Sequence, residues 1–532
     1  MHTMMKPIVW TISGSDCSGG AGIAADIKTG HSLGVEVCTL ITANTVQNSR
    51  ELISVNAVSV DILQQQVDAL FFDKPPTLIK IGLIANAEQV QWLIGVITKL
   101  KQENNLVIAV YDPVGQASVG GHFHSLSLVE LTPLLKQIDV ITPNLPEAKA
   151  LAATDGSAQV LAKKIHQDFA ITSVIIKGGH AHKDVIIHKS NNDDLESNIC
   201  VDYCLHQLNQ LQGKQDNQDK NQESISYQLS SPRIASHYNH GGGCSFASAL
   251  AAFLTRGYLI RDAFTLSKAY INQGLALTTQ LSAKQNHHYY GAFEQLSWPT
   301  QARDFPQVTD EFNQQYQQLP AFNSLDLQGE QLGLYPVINS LYWLKRLLPL
   351  DLKIIQLRVK NFPTDELEQV IATAVELAKD YDTRLFINDY WQLAIKYGAY
   401  GVHIGQEDLA STDLAQIQQA GLRLGISTHG CYEFLLAQQL QPSYLAIGAI
   451  FPTKTKDMTG QIQGLENLTQ LLALRPQAKA QQIPVVAIGG ISLERAPDVL
   501  ATGVDSIAVV TAITEANDPE QAVAALTTLC SN

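Results

Sequence analysis

The order of apolar runs predicts two α/β units in series, an open and mostly parallel sheet followed by a (β/α)8 barrel. Three observations carry this. The chain has 532 residues, too many for one hydrophobic core. Residues 7 to about 285 alternate β-branched strand-like runs with helical stretches. From about 330 to the end, eight such runs recur, each separated by a helix-length stretch, which is the count of a small barrel.

In the first zone, Ile8–Ser13, Val107–Tyr111, Val140–Thr142 and Val174–Lys177 are expected strands. A glycine loop, Gly14-Ser-Asp-Cys-Ser-Gly-Gly-Ala-Gly22, follows the first of them and leads into a helix through Ala24–Thr29. A stretch at about 190–226 is rich in Gln, Asn and Asp; it is expected to be a surface loop or disordered insertion, because it offers little apolar area to bury. Residues 286–329 mix Tyr, Gln, Pro and Trp without period and read as a linker with one helix at most. The barrel strands are expected at Leu334–Ile338, Lys353–Leu357, Arg384–Ile387, Gly401–Ile404, Arg423–Ile426, Tyr444–Ile447, Val485–Ile488 and Ser506–Val510. The units are therefore 1–285 and 330–532.

Composition narrows the function classes. Apolar content of 45% and charged content of 16% describe an ordinary globular protein. A net charge of −14 argues against nucleic acid, whose binders carry a basic footprint. No run approaches 18 apolar residues, and Met1 to Trp10 lacks an apolar core of signal-peptide length, so no membrane role and a cytoplasmic location are expected. The seven cysteines show no zinc-site spacing, and free thiols fit a reducing compartment. Trp10 and Trp92 are expected in the core. His180, His237 and His240 lie near glycine loops and are expected to be structural or solvent-facing.

Five segments end or follow strands of the second zone: Gln356-Leu-Arg-Val-Lys360, Ile387-Asn-Asp389, His403-Ile-Gly-Gln-Glu-Asp408, Phe451-Pro-Thr-Lys-Thr-Lys456 and Ala487-Ile-Gly-Gly-Ile491. Polar residues after successive strands are the pattern of a barrel active site. Gln356, Arg358 and Lys360 alternate, so they share one face, and two cations at a barrel mouth suit a phosphate. Asp389 and Asp408 in adjacent units can share Mg2+; the alternative is that each caps the helix that follows. Thr453, Thr455 and Lys456 can hold a second anion. Gly490 and Thr511 fall in the loops after strands seven and eight, where barrels bind phosphate on backbone N–H groups.

This ordered set resembles thiamine-phosphate synthase over essentially all of 330–532. The resemblance implies that Gln356, Arg358, Lys360, Asn388 and Lys456 hold a pyrimidine diphosphate, that Asp389 and Asp408 bind Mg2+, and that Ser427 sits near the pyrimidine. It assigns Thr453, Thr455, Gly490 and Thr511 to a thiazole phosphate. The implied mechanism is dissociative: an amino-substituted pyrimidine stabilises a methylene cation, so the protein stabilises departing pyrophosphate and needs no nucleophile.

The first zone carries a second glycine segment, His240-Gly-Gly-Gly-Cys-Ser245, before the apolar helix Phe246–Leu254. Successive N–H groups at a helix start make an anion hole, and Cys244 at its positive end favours a thiolate; the alternative is a glycine hinge feeding a buried helix. The Gly14–Gly22 loop is a candidate anion or ligand site but is neither a Walker A loop nor a GxGxxG fingerprint. Together with Lys177-Gly-Gly-His180 and Thr142-Pro-Asn-Leu-Pro-Glu147, these segments resemble the hydroxymethylpyrimidine and phosphomethylpyrimidine kinases of the ribokinase-like superfamily, over about 8–280. The resemblance implies ATP as co-substrate. It places Gly14, Asp26, Gln47 and Leu83 in the pyrimidine pocket, and Asp112, Asn144, Glu147 and Lys177 on Mg2+ and ATP phosphates. It makes Cys244 catalytic, with Gly241 and Gly243 supplying the hole.

Two departures stand out. Gly242 occupies a position where the family carries Thr, and Gly115-Gln-Ala-Ser-Val119 replaces a segment that closes over substrate. The expectation is a bifunctional thiamine biosynthesis enzyme with small-molecule partners, homo-oligomerisation being left open. The alternatives are a synthase with an impaired, pyrimidine-binding kinase half, and a pyridoxal-type kinase fused to the synthase.

Overall fold

The computed structural model describes residues 6–48, 51–114, 126–179, 198–208, 224–234, 236, 240–283, 294–327, 330–360, 363–453, 462–476 and 482–531. Two compact units emerge from it, residues 1–299 with 303–310, and residues 300–302 with 311–532.

The first unit is built on a ten-stranded sheet. Its strands are β1 (Ile8–Asp16), β2 (Glu36–Gln47), β3 (Leu52–Ala57), β4 (Leu78–Ile81), β5 (Ile108–Tyr111), β6 (Val140–Ile141), β7 (Ser173–Ile176), β8 (Ile199–Gln207), β9 (Ser224–Pro232) and β10 (Gln307–Asp310). They lie in the order β10-β9-β8-β7-β6-β5-β4-β1-β2-β3. The middle, β7 to β2, is parallel, and antiparallel strands extend it at both ends. Parallel strands need cover on both faces, and β4 and β7 are buried along their whole length. Trp10 is fully buried in the core, and Trp92 packs against it. The helix Gly242–Thr255 packs on β1, β4 and β5 and on the helix Gly22–Ser32. Residues 244–253 within it are all buried, so it is fixed from every side.

Two expectations of this unit need correction. Inside the stretch 190–226, Ile199–Gln207 is a strand that pairs with β7 and β9 and buries Tyr203, Cys204 and Leu205. Its polar surroundings hid it: Ile199–Gln207 is itself mostly apolar, with Asp202 and His206 bracketing Tyr203, Cys204 and Leu205. Residues 209–223, the most polar part, lie outside the described residues, as does the segment 115–119. The stretch 286–329 is also more than a linker. Its Gln307–Asp310 is the edge strand β10, with Val308 fully buried.

The second unit is a closed eight-stranded parallel barrel. Its strands are β11 (Gly333–Ile338), β12 (Ile354–Leu357), β13 (Arg384–Asn388), β14 (Gly401–Ile404), β15 (Arg423–Thr428), β16 (Tyr444–Ile447), β17 (Val485–Ile488) and β18 (Ser506–Val509). Pairing of β11 with β18 closes it. Each expected barrel strand is present, with ends moved by two residues at most. Tyr335, Ile354, Phe386, Tyr444 and Val486 belong to the core that fills the barrel. Glycines make room for the rings. A Cβ on Gly401 would stand 2.4 Å from Phe386, and one on Gly425 would stand 2.2 Å from Tyr444. No helix among the described residues is long and apolar enough to cross a membrane.

Candidate active sites

In the first unit, the chemistry gathers where β1 hands over to the helix Gly22–Ser32. Asp16 ends the strand and its carboxylate accepts from the Ser18, Gly20 and Ala21 amides at 2.8, 3.1 and 2.8 Å, and from the Ser18 hydroxyl. His240 Nε2 lies 2.8 Å from the same carboxylate. Burial pushes the Asp16 carboxyl up, but the hydrogen bonds from His240, Ser18 and Ala21 outweigh it and hold the group far below the usual carboxylate range. The expectation that this loop offers its amides to an external anion is therefore corrected: Asp16 already occupies them. His240 is the buried partner of that carboxylate, while His180 and His237 lie outside the described residues.

Asp26, one turn into the helix, is buried. Its carboxylate oxygens lie 2.9 and 3.0 Å from Lys80 Nζ on β4 and also accept from the hydroxyls of Thr11 (2.5 Å) and Ser248 (2.6 Å). Burial alone would lower the Lys80 ammonium's affinity for its proton, but the charges of Asp26 and Asp112 raise it above the ordinary lysine range. Gly14 and Leu83 are in contact, since a Cβ on Gly14 would lie 2.7 Å from Leu83 Cδ2. Gln47 is 6% exposed, and its Oε1 is buried with no hydrogen-bond partner among the described residues. Its main chain is tied to the glycine loop by Cys17 Sγ at 3.1 Å.

The second glycine loop lies against the first. Gly241 has φ of 78°, and a Cβ there would stand 1.9 Å from Gly20 O, so only glycine fits. Among the described residues nothing lies within 4 Å of a Cβ placed on Gly242. Gly243 lies beside a buried ion pair: a Cβ would stand 3.3 Å from Lys177 Nζ and 3.7 Å from Asp112 Oδ2. Lys177 Nζ is 2.6 Å from Asp112 Oδ1, which also accepts from Thr142 Oγ1 at 3.0 Å. Cys244 is buried in the first turn of its helix. Burial pushes its thiol up to about 11, against the pull of the Lys80 cation, so the expected thiolate is corrected to a protonated thiol at neutral pH.

The structure thus assembles Asp112, Lys177, Gly243 and Cys244. It gives Asn144 and Glu147 a different first task. They form a reciprocal capping box at the start of the helix Leu145–Ala152, Asn144 Oδ1 accepting from Glu147 N at 2.9 Å and Glu147 Oε2 from Asn144 N at 2.8 Å. The Glu147 charge still reaches Lys177 and helps raise its pKa, after Asp112.

Sequence reasoning missed Lys80 and the buried group Asp202–Lys268. Lys268 Nζ lies 2.8 Å from Asp202 Oδ2 and 3.1 Å from Cys200 Sγ, and Asp202 Oδ1 accepts from Gly178 N at 2.6 Å. A lysine inside the apolar run Leu78-Ile-Lys-Ile81 was the available signal for the first.

In the barrel, the polar residues collect at the carboxyl ends of the strands. Gln356 is the last inward polar residue of β12; Arg358 and Lys360 follow the strand end rather than belonging to it. Gln356 Nε2 donates to Asn388 Oδ1 at 2.6 Å, and Asn388 in turn donates to Asp389. Asp389 adopts φ of 65°, a left-handed backbone that aspartate tolerates better than most residues. Its carboxyl is pushed up to about 6, chiefly by burial and then by the Asp408 charge, against the pull of the Gly405 amide, Lys360 and Arg358. Neither aspartate caps a helix through its side chain: Tyr390 and Gly405 hold those cap positions.

Ser427, in β15, is half-buried and its hydroxyl lies 2.8 Å from His403 Nε2. Gly490 adopts φ of 65°; a Cβ there would stand 2.6 Å from Pro452 O, which sets the β17 loop against the Phe451–Thr453 segment. Arg495, unnoticed in the sequence, donates to Gly490 O at 2.8 Å and stacks on Phe451 at 4.7 Å. Thr511 starts the short helix after β18 and is exposed. Thr453 ends a described segment, and Thr455 and Lys456 lie outside the described residues.

Comparison with known proteins gives two matches. The family model of phosphomethylpyrimidine kinase matches residues 16–290, and that of thiamine monophosphate synthase matches residues 334–513. A thiamine-phosphate synthase from Yersinia pestis is 56% identical over 207 residues, 39% of this chain and 93% of the relative. Among solved structures, a phosphomethylpyrimidine kinase from Clostridium difficile is 28% identical, covers 50% of this chain and 99% of its own, and has a TM-score of 0.39. A pyridoxal kinase from Staphylococcus aureus in complex with ADP is 24% identical, covers 58% of this chain and 100% of its own, and has a TM-score of 0.43.

Proposed function

The chain belongs to the phosphomethylpyrimidine kinase family through its first unit and to the thiamine-phosphate synthase family through its barrel, and we propose that the two sites act in sequence on one pyrimidine. It is a bifunctional enzyme of thiamine biosynthesis, a kinase joined to a synthase. The first site phosphorylates 4-amino-5-hydroxymethyl-2-methylpyrimidine and then its monophosphate with ATP. The second joins the resulting diphosphate to 4-methyl-5-(2-phosphoethyl)thiazole, forming thiamine phosphate and releasing pyrophosphate.

At the first site, Gly14, Leu83 and Gln47 Oε1 receive the pyrimidine, and Asp26 shapes that end of the pocket while bound to Lys80. An incoming phosphate competes with Asp112 for the Lys177 ammonium, beside the amides of Gly241 and Gly243. Asp112, with Asn144 and Glu147 nearby, then faces Mg2+ and the nucleotide phosphates. Cys244 is a neutral thiol at this point and serves the reacting hydroxyl as a hydrogen-bond partner in the anion hole.

The observation that carries the barrel reading is that Asp389, bonded to Asn388 and through it to Gln356, gathers with Asp408, Arg358 and Lys360 at the carboxyl ends of adjacent strands β12, β13 and β14. A buried carboxyl raised by a second carboxylate is short of positive charge, and that fits a divalent cation. Among the described residues no cluster of three or more His, Cys, Asp or Glu forms a metal cage. Mg2+ needs one or two carboxylates and takes its remaining ligands from water and phosphate. Bound there, it supplies charge neutralisation for departing pyrophosphate. Gln356, Asn388, Arg358, Lys360 and Lys456 orient the diphosphate, and Ser427 meets the pyrimidine. Thr453, Thr455, Gly490 and Thr511 hold the thiazole phosphate. We place the enzyme in the cytosol, which suits its seven free cysteines.

The test is end to end: pyrimidine alcohol, ATP, Mg2+ and thiazole phosphate, assayed for thiamine phosphate. Asp408→Asn should accumulate pyrimidine diphosphate without product. Absence of ADP release from folded wild-type protein would overturn the kinase reading.

A further inference from the structure

One chain of hydrogen bonds in the barrel is not used by the roles above. Tyr335 Oη lies 2.7 Å from Tyr444 Oη, Tyr444 Oη lies 2.7 Å from His403 Nδ1, and His403 Nε2 lies 2.8 Å from Ser427 Oγ. Tyr335, Tyr444 and His403 are buried, and the His403 and Tyr444 rings stack with centroids 5.6 Å apart. We propose that Tyr335, Tyr444 and His403 are positioning residues that fix the direction of the Ser427 hydroxyl, so that its proton points out of the barrel floor at the bound pyrimidine. This rests on the placement of Ser427 at the pyrimidine.

The number of protons each group carries decides the direction of the chain. Each phenol carries a single proton, and neutral imidazole carries one N–H and one acceptor nitrogen. Run outward, Tyr335 donates to Tyr444, Tyr444 donates to Nδ1, and Nε2–H donates to Ser427; every buried proton has an acceptor, and the serine proton is left for a ligand. Run inward, Ser427 donates to Nε2 and Nδ1–H donates to Tyr444, which must donate to Tyr335. The Tyr335 proton then needs a second acceptor, and among the described residues its oxygen has no hydrogen-bond partner besides Tyr444. A buried donor left unmet is costly, so the outward direction wins. Two further features hold the chain in place. Gly425 leaves the space that the Tyr444 phenol fills. Gln406 Nε2 donates to Ser427 O at 2.7 Å and pins the serine main chain. A serine fixed as donor selects an acceptor on the substrate, such as a pyrimidine ring nitrogen.

The test uses the full chain with pyrimidine diphosphate supplied directly, so that the kinase site is bypassed. Tyr444→Phe keeps the ring and removes the link. It should lower kcat for condensation roughly tenfold or more, as loss of reactant orientation does, with KM for thiazole phosphate unchanged. Ser427→Ala should lower kcat as well, and the double variant should be no slower than Ser427→Ala alone, because the phenol acts only through the serine. Tyr335→Phe, a milder change, should move kcat in the same direction and carries the test if Tyr444→Phe does not fold. Wild-type kcat in both Phe variants, or losses that multiply in full with Ser427→Ala, would overturn the proposal. Wild-type kcat in Ser427→Ala would overturn it differently, by removing the placement of Ser427 on which it rests.

Discussion

Lys80 Nζ sits 2.9 and 3.0 Å from the two carboxylate oxygens of Asp26, with both side chains buried. The pair joins β4 to the helix Gly22–Ser32, and the hydroxyls of Thr11 and Ser248 extend it to β1 and to the helix Gly242–Thr255. It therefore locks the strand, the first loop and the anion-hole helix into one arrangement.

Lys80→Met leaves the Asp26 charge buried without its counter-ion. The first unit should lose about 3–5 kcal/mol of stability. The double variant Lys80→Met/Asp26→Leu should lose less, since no lone charge remains. Denaturant unfolding read by loss of ATP turnover on the pyrimidine checks the first value. Condensation of supplied pyrimidine diphosphate should persist in Lys80→Met, because that site is in the other unit.

Asp389 gives the barrel a pH dependence of known sign. Its folded carboxyl is pushed up to about 6, whereas an unfolded aspartate titrates near 3.9. The folded state thus holds the extra proton between about pH 4 and pH 6. The group favours folding most below pH 4, and that advantage is lost as pH rises through 6. Melting in the presence of a chelator should therefore show the barrel losing about 3 kcal/mol over this window. Asp408→Asn should flatten the slope and raise the melting temperature at pH 8, while abolishing condensation.

The three glycines before Cys244 should not be equivalent. Gly241→Ala places a Cβ 1.9 Å from Gly20 O at φ of 78°. Left-handed strain alone costs about 1–2 kcal/mol, and the clash with the first loop adds to it. Kinase turnover should fall at least tenfold, a factor that about 1.4 kcal/mol already supplies. Gly242→Thr, whose Cβ meets nothing within 4 Å among the described residues, should fold normally and keep turnover or raise it. Steady-state ADP release on both variants measures the difference.

The strand β10 makes a prediction about truncation. A fragment ending at residue 285 loses β10, the buried Val308 and the main-chain acceptor that Asp304 offers to Asn272. It should be markedly less stable than a fragment ending at residue 315. Urea midpoints of the two fragments, followed through pyrimidine-dependent ADP release, compare them directly.

Much of the fold and of the barrel site is legible in the sequence. Most barrel strands are short apolar runs closed by a polar residue or a glycine, and that punctuation follows from burying a strand and exposing its end. Asp389 and Asp408 could be paired because both follow strands in adjacent units. What escaped were groups whose partners come from far along the chain. Lys80 reads as an interruption of an apolar strand until Asp26 is seen 54 residues away. β10 is short and too polar to stand out, and β8, though mostly apolar, is masked by the polar residues on both sides of it. Cys244 was placed at a helix start correctly, yet its charge state depended on how completely the helix is enclosed, which local sequence does not report.

The loop gathered around Asp16 has a consequence for the order of events in the kinase site. Its amides are saturated by a carboxylate carried on the same strand, so its shape is set when the unit folds and owes nothing to nucleotide. The pyrimidine side of the pocket is therefore ready-made. On the roles proposed for Asp112 and Lys177, the part that rearranges on binding is the opposite wall, where Lys177 exchanges Asp112 for an arriving phosphate. On that reading one jaw is held by its own carboxylate and the other is free to answer the nucleotide.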